Sequence, residues 1–351
     1  MRQVAPSTTL REMTEIPLPR LGYGAANLGN LYRAMTDDEA SILLASAWDV
    51  GIRYFDTAPH YGLGLSERRL GEFLRTKPRD EYIVSTKVGR LLRPNPDGAG
   101  RMDTSNDFEV SADTQRVWDF TARGIRRSLE ESLERTGLDR FDVLYLHDPE
   151  RHNLFDGLNH ALPALVQLRE EKLVSAIGVG SMTTAALLEV VNTGLLDFLM
   201  IAGRYTLADQ SALAEVVPAC KLHGVGIVIA AVFNSGLLAS DNPGAGARYD
   251  YNDVPAPLLN RVQSVAGVCR DFGVSLATAA LQYTLRDDTV RSVVVGASTP
   301  AQLRQTADRM TQVIPEELWK QLAEQKLIPA TIENGTQLHL NSEGTHYVER
   351  N

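Results

Sequence analysis

The chain has 351 residues, with 35 Lys+Arg against 44 Asp+Glu for a formal net charge of −9, and 44% of its residues are hydrophobic. These are the values of a folded globular protein, and they exclude disordered, collagenous and coiled-coil classes. No stretch reaches the roughly 18 apolar residues of a membrane span, the first residues mix both charges with no apolar core of a secretory signal, and the acidic balance suits neither nucleic acid nor an anionic membrane. A cytoplasmic protein acting on a small molecule is expected.

Along the chain, hydrophobic periodicity repeats one unit: a short apolar run, a loop, then an amphipathic helix. Ahead of the first unit, residues 8–19 alternate enough to predict a hairpin plugging the bottom of the fold. The apolar runs follow at 21–28, 54–57, 82–87, 141–147, 175–180, 198–203, 226–231 and 292–296. Helix ends are readable between them. Thr36-Asp37-Asp38-Glu39 is a capping-box sequence with Gly51 at the stop, and patterns at 121–136, 183–193, 211–223 and 257–272 run into Gly137, Gly194, Gly224 and Gly273. Two polar connections, 90–119 after the third run and 234–257 after the seventh, have lengths usually reserved for function. Cys220 and Cys269 lie in no CxxC or zinc-type spacing, which predicts buried reduced thiols and no metal site.

Eight such units predict an α/β fold, a (β/α)8 TIM barrel over residues 1–328 with an N-terminal hairpin, both long loops over the C-terminal face, and a polar tail at 329–351. The rival is a doubly wound open sheet. It would carry G-x-G-x-x-G after the first strand, a spacing that neither Gly22, Gly24 and Gly29 nor Gly62-Leu63-Gly64 supplies.

In a barrel the site is built from the C-terminal strand ends. There the sequence places Asp56, Lys87 and His147 on runs two, three and four, with Tyr61 five residues beyond Asp56. Each has an ordinary reading as a cap, a solvated strand end or a packing ring, but together they have a chemical logic. A free phenol has a pKa of about 10; a neighbouring ammonium favours the phenolate, and a carboxylate holds the ammonium in place. Tyr61 is then the expected proton carrier, with Lys87 depressing its pKa, Asp56 holding Lys87, and His147 orienting a substrate oxygen. Proton transfer at a carbonyl or hydroxyl oxygen suits hydride transfer with a nicotinamide. A Schiff-base aldolase also uses a strand-end lysine, although it leaves Asp56 and Tyr61 without a task.

GIRYFDTAPHYG (51–62), YIVSTKVG (82–89) and DVLYLHDP (142–149) resemble, in order and spacing, motifs of the aldo-keto reductases, and the likeness spans roughly residues 15–325. The resemblance implies a catalytic tetrad of Asp56, Tyr61, Lys87 and His147. It also implies NAD or NADP extended across the barrel mouth without a Rossmann motif. In IGVGSM (177–182), Gly180 and Ser181 stand where the family has Ser-Asn, which leaves Ser181 as the carboxamide contact. AGRY (202–205) implies that Tyr205 stacks on the nicotinamide, with Ala202 replacing the family's Gln. FNSGLLA (233–239) assigns Ser235, Gly236 and Leu237 to the pyrophosphate, and GASTPAQLRQT (296–306) assigns Gly296, Ser298 and Gln302 to the adenosine end.

NADPH enzymes of the family have Lys and Arg where this chain has Gly296 and Gln302, so NAD is favoured, with NADP left open by Arg304 and Arg309. LGYGAANLGNLYR, AGRYTLADQ and LHDPER resemble the bacterial branch that oxidises aldoses such as L-fucose at C1 to lactones. Members that oxidise pyridoxal, general aldehyde or ketone reductases, and a cofactor-binding regulatory subunit are the alternatives within the family. Beside the motifs, His60, Arg151 and His152 read as solvated loop residues, while Trp118 or Phe120 is expected to border the substrate.

Overall fold

The computed structural model describes residues 16–330 apart from 245 and 251, together with the paired strands Leu338–Leu340 and His346–Val348. Eight parallel strands close into a barrel: β1 (Leu21–Gly24), β2 (Tyr54–Asp56), β3 (Ile83–Val88), β4 (Val143–His147), β5 (Ala176–Ser181), β6 (Phe198–Ala202), β7 (Gly226–Ala230) and β8 (Val290–Val295). Spatial order follows sequence order, and β1 closes the ring on β8.

Near-continuous apolar runs are what strands buried on both faces require. Alternation then sorts the side chains. Leu144, Leu146, Ile177, Val179, Leu199 and Ile201 face the helices, whereas Val143, Tyr145, Ala176, Phe198 and Met200 fill the barrel interior. Ile16 and Leu18 pack against that interior cluster, but residues 16–19 form no strand. The rest of the expected hairpin lies outside the described residues.

The outer layer comprises α1 (Asp37–Asp49), α2 (Leu65–Leu74), α3 (Ala122–Thr136), α4 (Leu162–Glu170), α5 (Thr184–Val191), α6 (Val216–His223), α7 (Ala256–Asp271), α8 (Leu276–Tyr283), α9 (Pro300–Thr311) and α10 (Glu316–Glu324). The Thr36/Glu39 capping box opens α1, and Gly137 and Gly224 close α3 and α6 in the left-handed conformation that favours glycine. Helix α6 starts later than its periodicity suggests, because Ser211–Leu213 forms a separate 3-10 turn.

Three segments differ from the sequence reading. The first apolar run stops being a strand at Gly24 and continues as a 3-10 turn, Ala25–Gly29. Residues 90–119 are ordered by an antiparallel ribbon, Arg90–Pro94 against Thr114–Trp118, rather than forming a simple connection. Within 234–257, Arg248–Tyr249 pairs with Asn252–Asp253. Cys220 and Cys269 are buried thiols, and burial pushes both up to about 12. Among the described residues no cluster of three or more His, Cys, Asp or Glu could hold a metal, and no single helix is long and apolar enough to cross a membrane.

Candidate active site

Adjacent parallel strands bring the four predicted groups to one end of the barrel. Asp56 ends β2, and the register pairs it with Ser85 on β3, two residues before Lys87. Lys87 in turn pairs with Tyr145 on β4, two residues before His147. Tyr61 depends on the loop after β2. A Cβ on Gly29 would lie 2.6 Å from the Tyr61 carbonyl carbon, and one on Gly62 would lie 2.2 Å from the Gly29 oxygen, so only glycines allow these backbones to meet. The contact fixes where the phenol stands.

Lys87 Nζ donates to Asp56 Oδ2 at 2.5 Å, to the Thr57 carbonyl at 3.0 Å and to Tyr61 Oη at 3.0 Å. Its side chain is 2% exposed and that of Asp56 4%. Ser85 donates to the other Asp56 oxygen at 2.7 Å, and Ser85, Tyr54 and Tyr145 continue as a buried hydroxyl chain with spacings of 3.1 and 3.4 Å. A buried ion pair of this kind persists only when its remaining hydrogen-bonding capacity is met. Ser85 and the Thr57 carbonyl meet it, and only the alternation of YIVSTK could have marked Ser85 in advance.

The electrostatics sharpen the roles. Burial disfavours charge on Lys87, but Asp56 and Tyr61 outweigh it and hold the ammonium above its ordinary value. A nitrogen that keeps its proton has no lone pair for a Schiff base. For Tyr61, burial raises the pKa and Lys87 lowers it, with burial the larger effect. The expected lowering by Lys87 is therefore present but outweighed, so that burial holds the phenol above its ordinary value and Lys87 limits the rise. His147 stands with its ring centroid 6.0 Å from that of Tyr61 and nearly perpendicular to it. Burial, then Arg90, Lys87, His60 and Arg151, hold it well below the usual histidine range. A neutral imidazole retains one N–H donor.

His60 is not a solvated loop residue. Its ring meets Phe108 edge-on at 5.5 Å and His147 at 5.6 Å. Its carbonyl accepts from Arg116 at 2.7 Å, which ties the 90–119 ribbon to the loop carrying Tyr61. Arg90 lies over Trp118 at 4.1 Å, and His152 stacks on Trp118 at 5.3 Å. Trp118, His60 and Arg151 line a cavity of about 910 Å³ under the ribbon, while Phe120 is buried. Phe108, Arg90 and Arg116 were not singled out by the sequence, although four arginines in 90–119 were a visible signal.

The predicted cofactor residues fare unevenly. Ser181 ends β5 but donates its hydroxyl to Glu150 at 2.5 Å and accepts from the Thr183 amide. Tyr205 is 5% exposed and packs edge-on against Tyr283 of α8. It belongs to the core outside the barrel. After β7, Asn234, Ser235 and Gly236 are successive left-handed residues, and a Cβ on Gly236 would meet nothing within 4 Å. Asn234 anchors this turn by donating to the Gly203 carbonyl and accepting from Thr206, and Leu237 is buried beneath it. Turns of successive amides are suited to phosphate.

Across the opening, Arg204 beyond β6 pairs with Asp250 at 2.5 Å and donates to Tyr249 at 3.0 Å, strapping the 234–257 segment to the rim. At the β8 end, Gly296 faces the Asn27 side chain. The Gln302 oxygen caps α9, accepting from Ser298 N at 2.8 Å and from Thr299 N. The groups on this side therefore fit an extended dinucleotide chiefly through backbone amides and a glycine opening.

The profile of the aldo/keto reductase family matches residues 20–326. The chain is 57% identical over 315 residues to a D-threo-aldose 1-dehydrogenase of Pseudomonas sp, covering 90% of this chain and 96% of that protein. It is 35% identical over 330 residues to a pyridoxal 4-dehydrogenase of Microbacterium luteolum, with the same two coverages. Among solved structures, the holo form of an aldo-keto reductase from Bacillus halodurans superposes with a TM-score of 0.69 at 24% identity, over 90% of this chain and 95% of that one, and carries the fold likeness.

Proposed function

The chain belongs to the aldo/keto reductase family, a family of oxidoreductases that use nicotinamide dinucleotides, and from that premise we propose that it oxidises a D-threo-type aldose, such as L-fucose, at C1 to the lactone. The likeness to the Pseudomonas enzyme supports the sugar, and the Lys87 ammonium held between Asp56 and Tyr61 Oη supports the chemistry. The proposed unit is one barrel domain, residues 1–328, followed by a tail, and the proposed setting is the cytoplasm.

The bound nicotinamide supplies the hydride acceptor for C1. Tyr61 Oη, as phenolate, takes the proton of the C1 hydroxyl. Lys87 stabilises the anion formed at Tyr61 and keeps its own charge through Asp56. The His147 N–H donates to the same substrate oxygen and sets its angle toward Tyr61. In the reducing direction the phenol returns its proton to the carbonyl oxygen. Because burial holds the phenol above its ordinary value, the base form grows as pH rises, and oxidation is expected to accelerate from neutral toward alkaline pH.

For the dinucleotide, we assign the Ser235–Leu237 turn to the pyrophosphate, Ser181 to the carboxamide, and Gly296, Ser298 and Gln302 to the adenosine end. NAD is the proposed partner, since Gly296 and Gln302 bring no cation to a 2′-phosphate. The test is a panel of L-fucose, D-arabinose, L-galactose and pyridoxal with NAD and NADP, read by formation of the reduced cofactor. Turnover of the sugars supports the reading. Turnover of pyridoxal alone transfers the site to the chemistry of the second relative, and no turnover with any sugar overturns the aldose assignment.

A further inference from the structure

The cavity beside the tetrad carries charges that oxidation of a neutral sugar does not use. It is lined by Arg90, Arg101, Arg116 and Arg151, with His60 at its inner end and Trp118 on its wall. Two of these cations are neutralised: Arg116 pairs with Asp103 at 2.6 Å and Arg90 with Asp148 at 3.0 Å. The other two are not. Arg101 donates to the Asp97 carbonyl, and Arg151 makes no ion pair among the described residues. Arg90 is 5% exposed, and its Nη1 is buried with no hydrogen-bond partner among the described residues.

Clustering four guanidinium groups around one space in a protein of net charge −9 costs repulsion that Asp103 and Asp148 offset only for Arg116 and Arg90. The focus of this field is His60, which burial, Arg116, Arg90, Arg151 and Lys87 push down to about 2. His60 touches His147, so the positive field begins where the substrate's reacting end stops. None of the residues assigned to the dinucleotide lines the cavity, which separates it from the phosphates of the cofactor. A guanidinium with spare donors is the side chain best matched to a carboxylate or phosphate.

We propose that this cavity is an anion subsite for the substrate, and that the preferred substrates are aldoses carrying a carboxylate or phosphate remote from C1. The inference rests on the C1-oxidation reading above and refines its substrate class. L-Galactose, L-galacturonate and L-galactose 6-phosphate share the C2–C4 configuration of L-fucose and differ at C6, so they isolate the charge.

The expected result at low ionic strength is a kcat/KM for at least one charged sugar about tenfold or more above that for galactose, as an added Arg–anion contact supplies. That advantage is expected to shrink at about 0.5 M salt, where exposed charges are screened. Arg151→Gln should remove most of it while leaving galactose within about twofold, since Arg151 is outside the tetrad and bears no structural pair. Calorimetric binding of the charged sugars to protein saturated with reduced cofactor gives a second reading that needs no turnover. Binding lost in Arg151→Gln supports the subsite.

Galactose turned over as well as or better than both charged sugars, with no salt effect and no change in Arg151→Gln, would overturn the inference while leaving C1 oxidation standing. Charged sugars bound tightly but no sugar oxidised would overturn the reaction instead.

Discussion

Two polar regions meet at His147, and they are built in opposite ways. The floor of the mouth is complete in itself. Asp56 has both oxygens engaged, Lys87 makes three hydrogen bonds, and a hydroxyl chain through Ser85, Tyr54 and Tyr145 backs them. The cavity wall under the 90–119 ribbon is incomplete: among the described residues Arg151 has no ion pair and a buried Arg90 nitrogen is unmet. A closed network holds its geometry without a ligand, as a proton carrier requires. An open one reserves its donors for something that arrives.

If the floor carries the chemistry, its variants should damage turnover far more than binding. Tyr61→Phe should lower kcat by about 10³-fold or more, within and beyond the usual range for a lost acid-base group, while the dissociation constant for NADH by fluorescence titration stays within about threefold. A similar kcat in that variant would break the contrast. Lys87→Met should cost about 10²-fold in kcat/KM. Because Lys87 is what lowers the Tyr61 pKa, the alkaline rise of the oxidation rate should move to higher pH in this variant. An unchanged pH profile would show that Lys87 acts on something else.

Gly29→Ala sharpens the point that loop backbone sets the phenol. The added carbon would sit 2.6 Å from the Tyr61 carbonyl carbon, so kcat should drop about 10- to 100-fold, with a Tm loss reflecting about 1–3 kcal/mol. Loss of Tm without loss of kcat would mean the loop relaxes without moving Tyr61. On the cofactor rim, Arg204→Ala should release the Asp250 strap and raise the NADH dissociation rate about tenfold by stopped flow, with the chemical step intact. The smallest effect is expected from Gln302→Arg, which should move relative kcat/KM toward NADP by about five- to tenfold.

The same contrast accounts for what the sequence disclosed. Barrel strands need apolar side chains on both faces and their helices need caps, so runs such as FDVLYLH and stops such as Gly137 were legible. The tetrad was legible because carboxylate, ammonium, phenol and imidazole stood at consecutive strand ends, where chance seldom gathers them. The cavity was not. Its arginines come from a polar segment whose TQRVW alternation is too short to announce a ribbon, and their convergence depends on that ribbon folding over Tyr61.

The surroundings of Tyr205 were not legible for a related reason: an aromatic just past a strand end has one appearance in sequence, and its packing against Tyr283 depends on the fold. Thr299-x-x-Gln302 is a capping-box sequence, and the structure uses it as one to open α9.

Oxidation of L-fucose deuterated at C1 tests the central claim most directly, with the cofactor and product followed by mass spectrometry and NMR. The account predicts that each reduced dinucleotide carries one deuterium from C1, that the product is the lactone, and that Tyr61→Phe abolishes both signals while still binding the cofactor. No reduced dinucleotide, or one whose new hydrogen comes from solvent, would contradict it.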